Sequence, residues 1–165
     1  MSNNHTTRFN MKFVDVHLKY STKQLCKKEE FLVDDNKGIQ SALELLLAPV
    51  CKSVSCIDSP NRLVPILEAG NIDLILLDMN FSAGVNSGNE GLYWLKRIKE
   101  INADIPVILI TAYGDVELAV KALKEGATDF ILKPWDNQKL LATVEAGFQL
   151  RWSKLEVTQL KQREK

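Results

Sequence analysis

From residue 31 onward the chain alternates short apolar runs with segments of helical period, and this alternation limits the fold more than any other feature. The apolar runs are "FLV" (31–33), "SVSCI" (53–57), "IDLILLD" (72–78), "IPVILI" (105–110) and "DFILKP" (129–134). Between them, "NKGIQSALELLLAPV" places Ile39, Leu43, Leu46 and Leu47 on one helical face, and "NEGLYWLKRIKEI" does the same with Leu92, Leu95, Ile98 and Ile101. "SPNRLVPILEAG" reads as a helix with Ser59 as N-cap and Gly70 as C-cap. "DVELAVKALKEG" (115–126) is a further helix, and a long final helix begins near Asn137. Five strand–helix units of this length predict an α/β fold, an open parallel sheet covered by helices on both faces. The nearly continuous apolar run ending at Asp78 fits a strand buried on both sides.

A chain of 165 residues, 45% hydrophobic and 25% charged, suits one domain with extensions. Its formal net charge of +0 offers no global attraction to nucleic acid or an anionic membrane. Cys26, Cys51 and Cys56 lack metal-site spacing and read as reduced structural thiols. No apolar stretch spans a bilayer and no signal-peptide core opens the sequence, so the expected location is cytoplasmic. Residues 1–27 are expected to be a flexible or loosely attached extension, although Val14, Val16, Leu18 and Tyr20 carry a period-two hint of an extra strand. Leu141, Phe148 and Leu155 recur at heptad spacing, over too few heptads for a coiled coil. The last helix reaches "LKQREK" without a Gly or Pro stop signal.

In open parallel sheets, ligands bind beyond the carboxyl ends of the strands. Those ends carry Asp34 and Asp35, then Asp78, Thr111, and Lys133 followed by Pro134. Singly, each has an ordinary explanation as a helix cap or a solvated lysine. Together, three carboxylates at one edge are costly unless a cation or protons sit among them. Hard oxygen ligands with open positions suit Mg²⁺, and a Lys with a hydroxyl can hold the remaining oxygens of a phosphoryl group. Such a set around a carboxylate nucleophile is a phosphoryl-transfer site, with Asp78 the natural nucleophile.

The motifs "FLVDD", "LILLDMN", "VILITAYGD" and "FILKPW", in this order and spacing over residues 28–148, resemble the receiver domain of two-component response regulators. The stretch "TAYGDVELAVKALKEGATDFILKPW" is similar to receivers of NtrC-like transcription activators. The resemblance implies a doubly wound, flavodoxin-like sheet of five parallel strands in the order 2-1-3-4-5. It implies that Asp78 accepts a phosphoryl group from a sensor histidine kinase or a small phosphodonor. Asp34, Asp35, Asp78 and the backbone carbonyl of Asn80 would hold Mg²⁺, and Lys133 would pair with phosphoryl oxygens. Thr111 is the implied switch hydroxyl, Ala112 leaves room beside it, and Phe130 is the implied switch aromatic. Their movement would remodel the surface of the fourth helix, fifth strand and fifth helix, with regulation of transcription as the expected output.

The sequence departs from the receiver pattern in two places. The loop "MNFSAGVNSGNEG" has no proline, and its matching glycine, Gly91, comes about five residues late. Glu29 and Glu30 stand where receivers carry apolar residues, which leaves "FLV" as the firm part of the first strand. The NtrC-like resemblance implies an ATPase domain and a DNA-binding domain, and neither a GxxxxGK[ST] loop nor a helix-turn-helix lies in these residues. The expectation is therefore a receiver at 28–148 with a helical linker at 149–165, cut from a longer protein, and dimerising through the fourth and fifth helices and the linker. The alternatives are a stand-alone receiver, a pseudo-receiver that binds partners without phosphorylation, and a Mg²⁺-dependent phosphohydrolase. The last usually needs a carboxylate two residues after the nucleophile, where this chain has Asn80. Trp94, Trp135 and Trp152 read as packed helix-face or helix-start aromatics.

Overall fold

The structure, a computed structural model, describes residues 29–33, 37–51, 53–57, 62–70, 72–79, 89–112 and 115–164. Five strands alternate with five helices: β1 (Glu29–Val33), α1 (Lys37–Leu47), β2 (Ser53–Ile57), α2 (Leu63–Ala69), β3 (Leu74–Asp78), α3 (Asn89–Ile101), β4 (Val107–Ala112), α4 (Val116–Lys124), β5 (Asp129–Lys133) and α5 (Asn137–Arg163). All strand pairs are parallel, and the sheet order is β2-β1-β3-β4-β5. The expected α/β sheet, its strand order and its extended last helix are all present. Residues 1–27, expected to be an extension, lie outside the described residues.

Period-two alternation in the central strands divides the core between the two faces. Leu74 and Leu76 of β3, with Ile108 and Ile110 of β4, pack under α1 and α5 through Leu43, Leu47, Leu140, Val144 and Phe148. Ile75 and Leu77, with Val107 and Leu109, pack under α2, α3 and α4 through Leu63, Leu67, Leu95, Ile98 and Ala122. Every residue of β3 is buried. Each such leucine or isoleucine contributes about 1.5–3 kcal/mol by leaving water, so β3 is held firmly from both faces.

Several boundaries differ from the sequence reading. β1 begins at Glu29, because Glu29 pairs with Ser53, and Glu30 pairs with Val54 on one side and Leu74 on the other. Ladder bonds to β2 and β3 override the poor strand propensity of glutamate. Thr111 and Ala112 are the last residues of β4, paired with Leu132 and Lys133, so they belong to the sheet and not to the following loop. α2 starts at Leu63 with Arg62 at its N-cap and no side-chain cap bond, and Ser59, the expected cap, lies outside the described residues. Gly70 does close α2, in the left-handed region at φ 80°. Among the described residues, no helix is long and apolar enough to cross a membrane.

The heptad of Leu141, Phe148 and Leu155 faces this chain's own sheet: Phe148 is buried, and Leu141 and Leu155 pack against the same cluster. α5 approaches β3 so closely that a Cβ on Gly147 would lie 2.6 Å from Leu74 Cδ1. One turn further on, Trp152 is buried and stacks on Phe148 at 6.0 Å between ring centroids. Beside it, Arg151 Nε stands 3.6 Å from Asp73 Oδ1, both side chains being about nine-tenths buried. At the same pole, Lys99 Nζ donates to the carbonyls of Ile105 (2.8 Å) and Ala103 (3.3 Å). Burial, and then the nearby Lys154, hold the Lys99 pKa below the usual lysine value, against a smaller opposing effect of Asp104.

The Arg151–Asp73 pair yields a stability prediction. Arg151→Ala removes the cation beside a buried carboxylate and should lower unfolding free energy by about 3 kcal/mol, read as the urea midpoint. The double variant Asp73→Ala/Arg151→Ala should cost less than the sum of the two single changes. Strict additivity would show that the two charges do not interact.

Candidate functional site

The carboxyl ends of the central strands bring Asp78, Thr111 and Lys133 to one edge. Asp78 is the last residue of β3, paired with Ile110 of β4, and the ladder continues one step further with Met79 N–H donating to the Ile110 carbonyl at 3.1 Å. Strand pairing thus fixes the backbone on both sides of the carboxylate. Asp78 is only 3% exposed, a costly position for a carboxylate without a charged partner. Lys133, at the end of β5, supplies one: its Nζ lies 3.3 Å from Asp78 Oδ2 across the intervening β4. The bond from Lys133 to Pro134 is cis.

Thr111 is fully buried, and among the described residues its Oγ1 has no hydrogen-bond partner. An unmet buried hydroxyl costs about 1–3 kcal/mol, so it is a group that gains from any acceptor brought within reach. Ala112, next along the strand, is half-buried. Phe130 pairs with Leu109 and packs half-buried against the cluster under α2, α3 and α4. By the two-residue period Thr111 lies on the same face of β4 as Leu109, so Phe130 sits one step below it on the neighbouring strand.

Asp34, Asp35 and Asn80 lie outside the described residues. β1 ends at Val33, which pairs with Leu77, one residue before Asp78. Among the described residues there is no group of three or more His, Cys, Asp or Glu able to hold a metal ion. Asp78 is the hard-oxygen donor that the described part of the edge offers. Trp135 packs against the core beneath α5 and donates from Nε1 to Asn137 Oδ1 at 3.1 Å, as a side chain closing the start of that helix.

Met79 and Gly91 form a support that sequence reasoning finds only in part. A Cβ on Gly91 would come within 2.9 Å of Met79 Cα and 2.6 Å of Met79 Sδ. The first turn of α3 therefore rests directly on the residue after Asp78, which explains a glycine at this point despite the long preceding loop. Nothing in the sequence singles out Met79, because a buried methionine after a strand reads as ordinary core.

Residues 31–145 match the response regulator receiver domain family. The response regulator protein TodT of Pseudomonas putida is 30% identical over 120 residues, covering 73% of this chain and 51% of TodT. The DNA-binding transcriptional regulator NtrC of Salmonella typhimurium is 33% identical over 115 residues, covering 70% of this chain and 24% of NtrC. The crystal structure of the N-terminal signal receiver domain of a two-component system response regulator from Bacteroides fragilis superposes with a TM-score of 0.66. Its sequence is 48% identical, covering 73% of this chain and 95% of that one. The chain thus spans about half the length of TodT and a quarter of NtrC.

The Met79–Gly91 contact predicts that Gly91→Ala lowers unfolding free energy by about 1–3 kcal/mol, because the Met79 backbone has to move. Gly70→Ala, where no atom lies within 4 Å of the added Cβ, controls for backbone strain alone. Equal urea midpoints for wild type and Gly91→Ala would exclude the contact.

Proposed function

The chain belongs to the response regulator receiver domain family, and from that premise we propose that Asp78 is the phosphoryl acceptor of a two-component signalling switch. A sensor histidine kinase is the proposed phosphodonor, in the cytoplasm, and the output is a transcription-regulating domain covalently joined beyond α5. The observation that carries this reading is the meeting of three groups at one strand edge: a buried carboxylate, a lysine 3.3 Å from it, and a fully buried hydroxyl with no partner among the described residues. A core evolved for packing alone has no use for the third.

The chemistry follows from the charges. An Asp78 oxygen attacks the phosphorus of the donor, the bond from phosphorus to its leaving group breaks, and the acyl phosphate remains on the protein. Asp34, Asp35, Asp78 and the carbonyl of Asn80 are the proposed holders of Mg²⁺, which supplies neutralisation of phosphoryl oxygens when bound. The end of β1 supports this assignment, since Val33, the residue before Asp34, pairs with Leu77, the residue before Asp78. Lys133 already faces the Asp78 carboxylate and is placed to follow the negative charge outward when it is transferred to phosphoryl oxygens. Thr111 gains an acceptor for its hydroxyl, drawing the end of β4 toward Asp78 and opening space that Phe130 enters.

Phosphorylation in this scheme shifts a two-state equilibrium, because the phosphoryl group adds about −1.5 to −2 charge and binds one arrangement of Thr111 better than the other. The surface that changes is formed by α4, β5 and α5, and it is the proposed site of homodimer formation together with the C-terminal helix. The proposed division of the chain is a receiver at 28–148 followed by a linker at 149–165.

Incubation with acetyl phosphate and Mg²⁺ should add one phosphoryl group to the intact mass of wild type and none to Asp78→Asn. Thr111→Ala should still be phosphorylated, while the change in the amide exchange of α4 that accompanies phosphorylation of wild type is lost. Phosphorylation of Asp78→Asn to the wild-type level would sink the assignment of the acceptor.

A further inference from the structure

β2 stands at one edge of the sheet, with β1 as its one ladder neighbour among the described residues. An open strand edge presents a row of backbone donors and acceptors, and folded proteins cover or blunt such edges. β2 is also patterned for a further neighbour. Val54 and Cys56 pack half-buried against the cluster under α1 and α5, whereas Ile57 belongs to the cluster on the opposite face. By the two-residue period Ser55, half-buried, shares the face of Ile57. Apolar, polar and apolar residues thus succeed one another over 54–56, with the apolar pair on the α1 side.

The same alternation stands in Val14, Asp15, Val16, His17 and Leu18, in the part of the chain that precedes β1. Beside β2, with Val14, Val16 and Leu18 on the α1 side, this run sets apolar residues against Val54 and Cys56 and polar ones against Ser55. Connectivity selects the edge and the direction. Glu29 pairs with Ser53, so the chain enters β1 level with the start of β2. The outer flank of β2 is two strand spacings from β1, about 10 Å, and an eight-residue link over 21–28 reaches about 27 Å. A link passing round the amino end of β2 leaves 14–18 running opposite to that strand. A parallel run would make the same link retrace the length of β2 as well, about 17 Å. The free flank of β5 is four spacings from β1, about 19 Å. Charge favours the same union. Before β1, Arg8, Lys12, Lys19, Lys23, Lys27 and Lys28 stand against Asp15 alone, so in a chain of formal net charge +0 the remainder is acidic.

We infer that residues 14–18 add to the outer edge of β2 as a sixth strand, antiparallel to it, in the sheet of their own chain. An antiparallel edge strand on an otherwise parallel sheet is a common arrangement. The short link holds the segment at an effective concentration on the order of millimolar, which favours it over the edge of a second copy. The added strand closes an edge that could otherwise pair with another molecule. The inference goes beyond the signalling role proposed above and does not need Asp78 to be phosphorylated.

Amide hydrogen exchange of the full chain, without phosphodonor, tests it. The amides of 14–18 should exchange about tenfold or more slowly than those of an unstructured peptide of the same sequence. Val16→Pro, which removes a ladder donor, should abolish that protection and speed exchange in β2 by about tenfold, with β3 unchanged as the control for an intact fold. Cross-linking to the native Cys56 reads the face. In a Cys26→Ser background, at least one of Val14→Cys, Val16→Cys and Leu18→Cys should form a disulfide with Cys56 of the same chain under mild oxidation, and Asp15→Cys and His17→Cys should not. Exchange of 14–18 at the unstructured rate, or a β2 indifferent to Val16→Pro, overturns the inference. Equal cross-linking from both sets of positions overturns the strand. Disulfides formed only between two chains overturn the pairing within one chain and assign the edge to a second copy.

Discussion

A carboxylate held at the tip of a strand buried on both faces is the constraint around which the candidate site is arranged. Asp78 is kept in place by pairing of β3 with β1 and β4 and by the ladder bond from Met79 to Ile110, and it is almost without water. A carboxylate in that position requires a positive partner. Lys133 reaches it from β5, two strands away, so the sheet has to close in this order before the charge is compensated. The contact of Gly91 with Met79 supports the same point from the α3 side. Among the described residues, Asp78 is held by these contacts, whereas Thr111 has a hydroxyl still to satisfy and Phe130 is only half-buried. A new negative charge at Asp78 would therefore be felt first along β4 and β5, which is where the proposed switch lies.

The opposite pole of the sheet is built for fixity. Gly147 lets α5 lie against Leu74, Trp152 stacks on Phe148, and Arg151 reaches Asp73 immediately before β3. The strand that ends in the proposed acceptor thus begins beside the ion pair that anchors the long helix. This gives α5 two apolar sides with different duties. One side belongs to the core of its own domain, and the other, with Leu150, Val157 and Leu160, stays exposed.

Much of the architecture was legible in the chain because period-two apolar runs and helix-period segments report burial directly. The parallel sheet, the long α5 beginning at Asn137, the C-cap at Gly70 and the family were all readable in this way. The strand-end residues Asp78, Thr111 and Lys133 were legible as candidates because strand ends in such sheets converge, and the fold does bring them to one edge. Element ends were less legible. Glu29 and Glu30 look wrong for a strand until ladder bonds from both neighbours are counted. The heptad of Leu141, Phe148 and Leu155 is the plainest periodic signal in the last helix, yet spacing alone does not say whether it faces the chain's own sheet or another molecule.

By itself, then, the sequence determined the identity and order of the elements, the apolar faces and the residue types at the strand ends, since these follow from local periodicity and side-chain chemistry. Tertiary structure alone decided that Lys133 lies against Asp78, that the Thr111 hydroxyl lacks a partner among the described residues, that Gly91 rests on Met79, and which stripe of α5 remains exposed. Each of these depends on the approach of segments distant in the chain. Such approaches are set by packing and by the balance of buried charge, and neither leaves a periodic mark in the sequence.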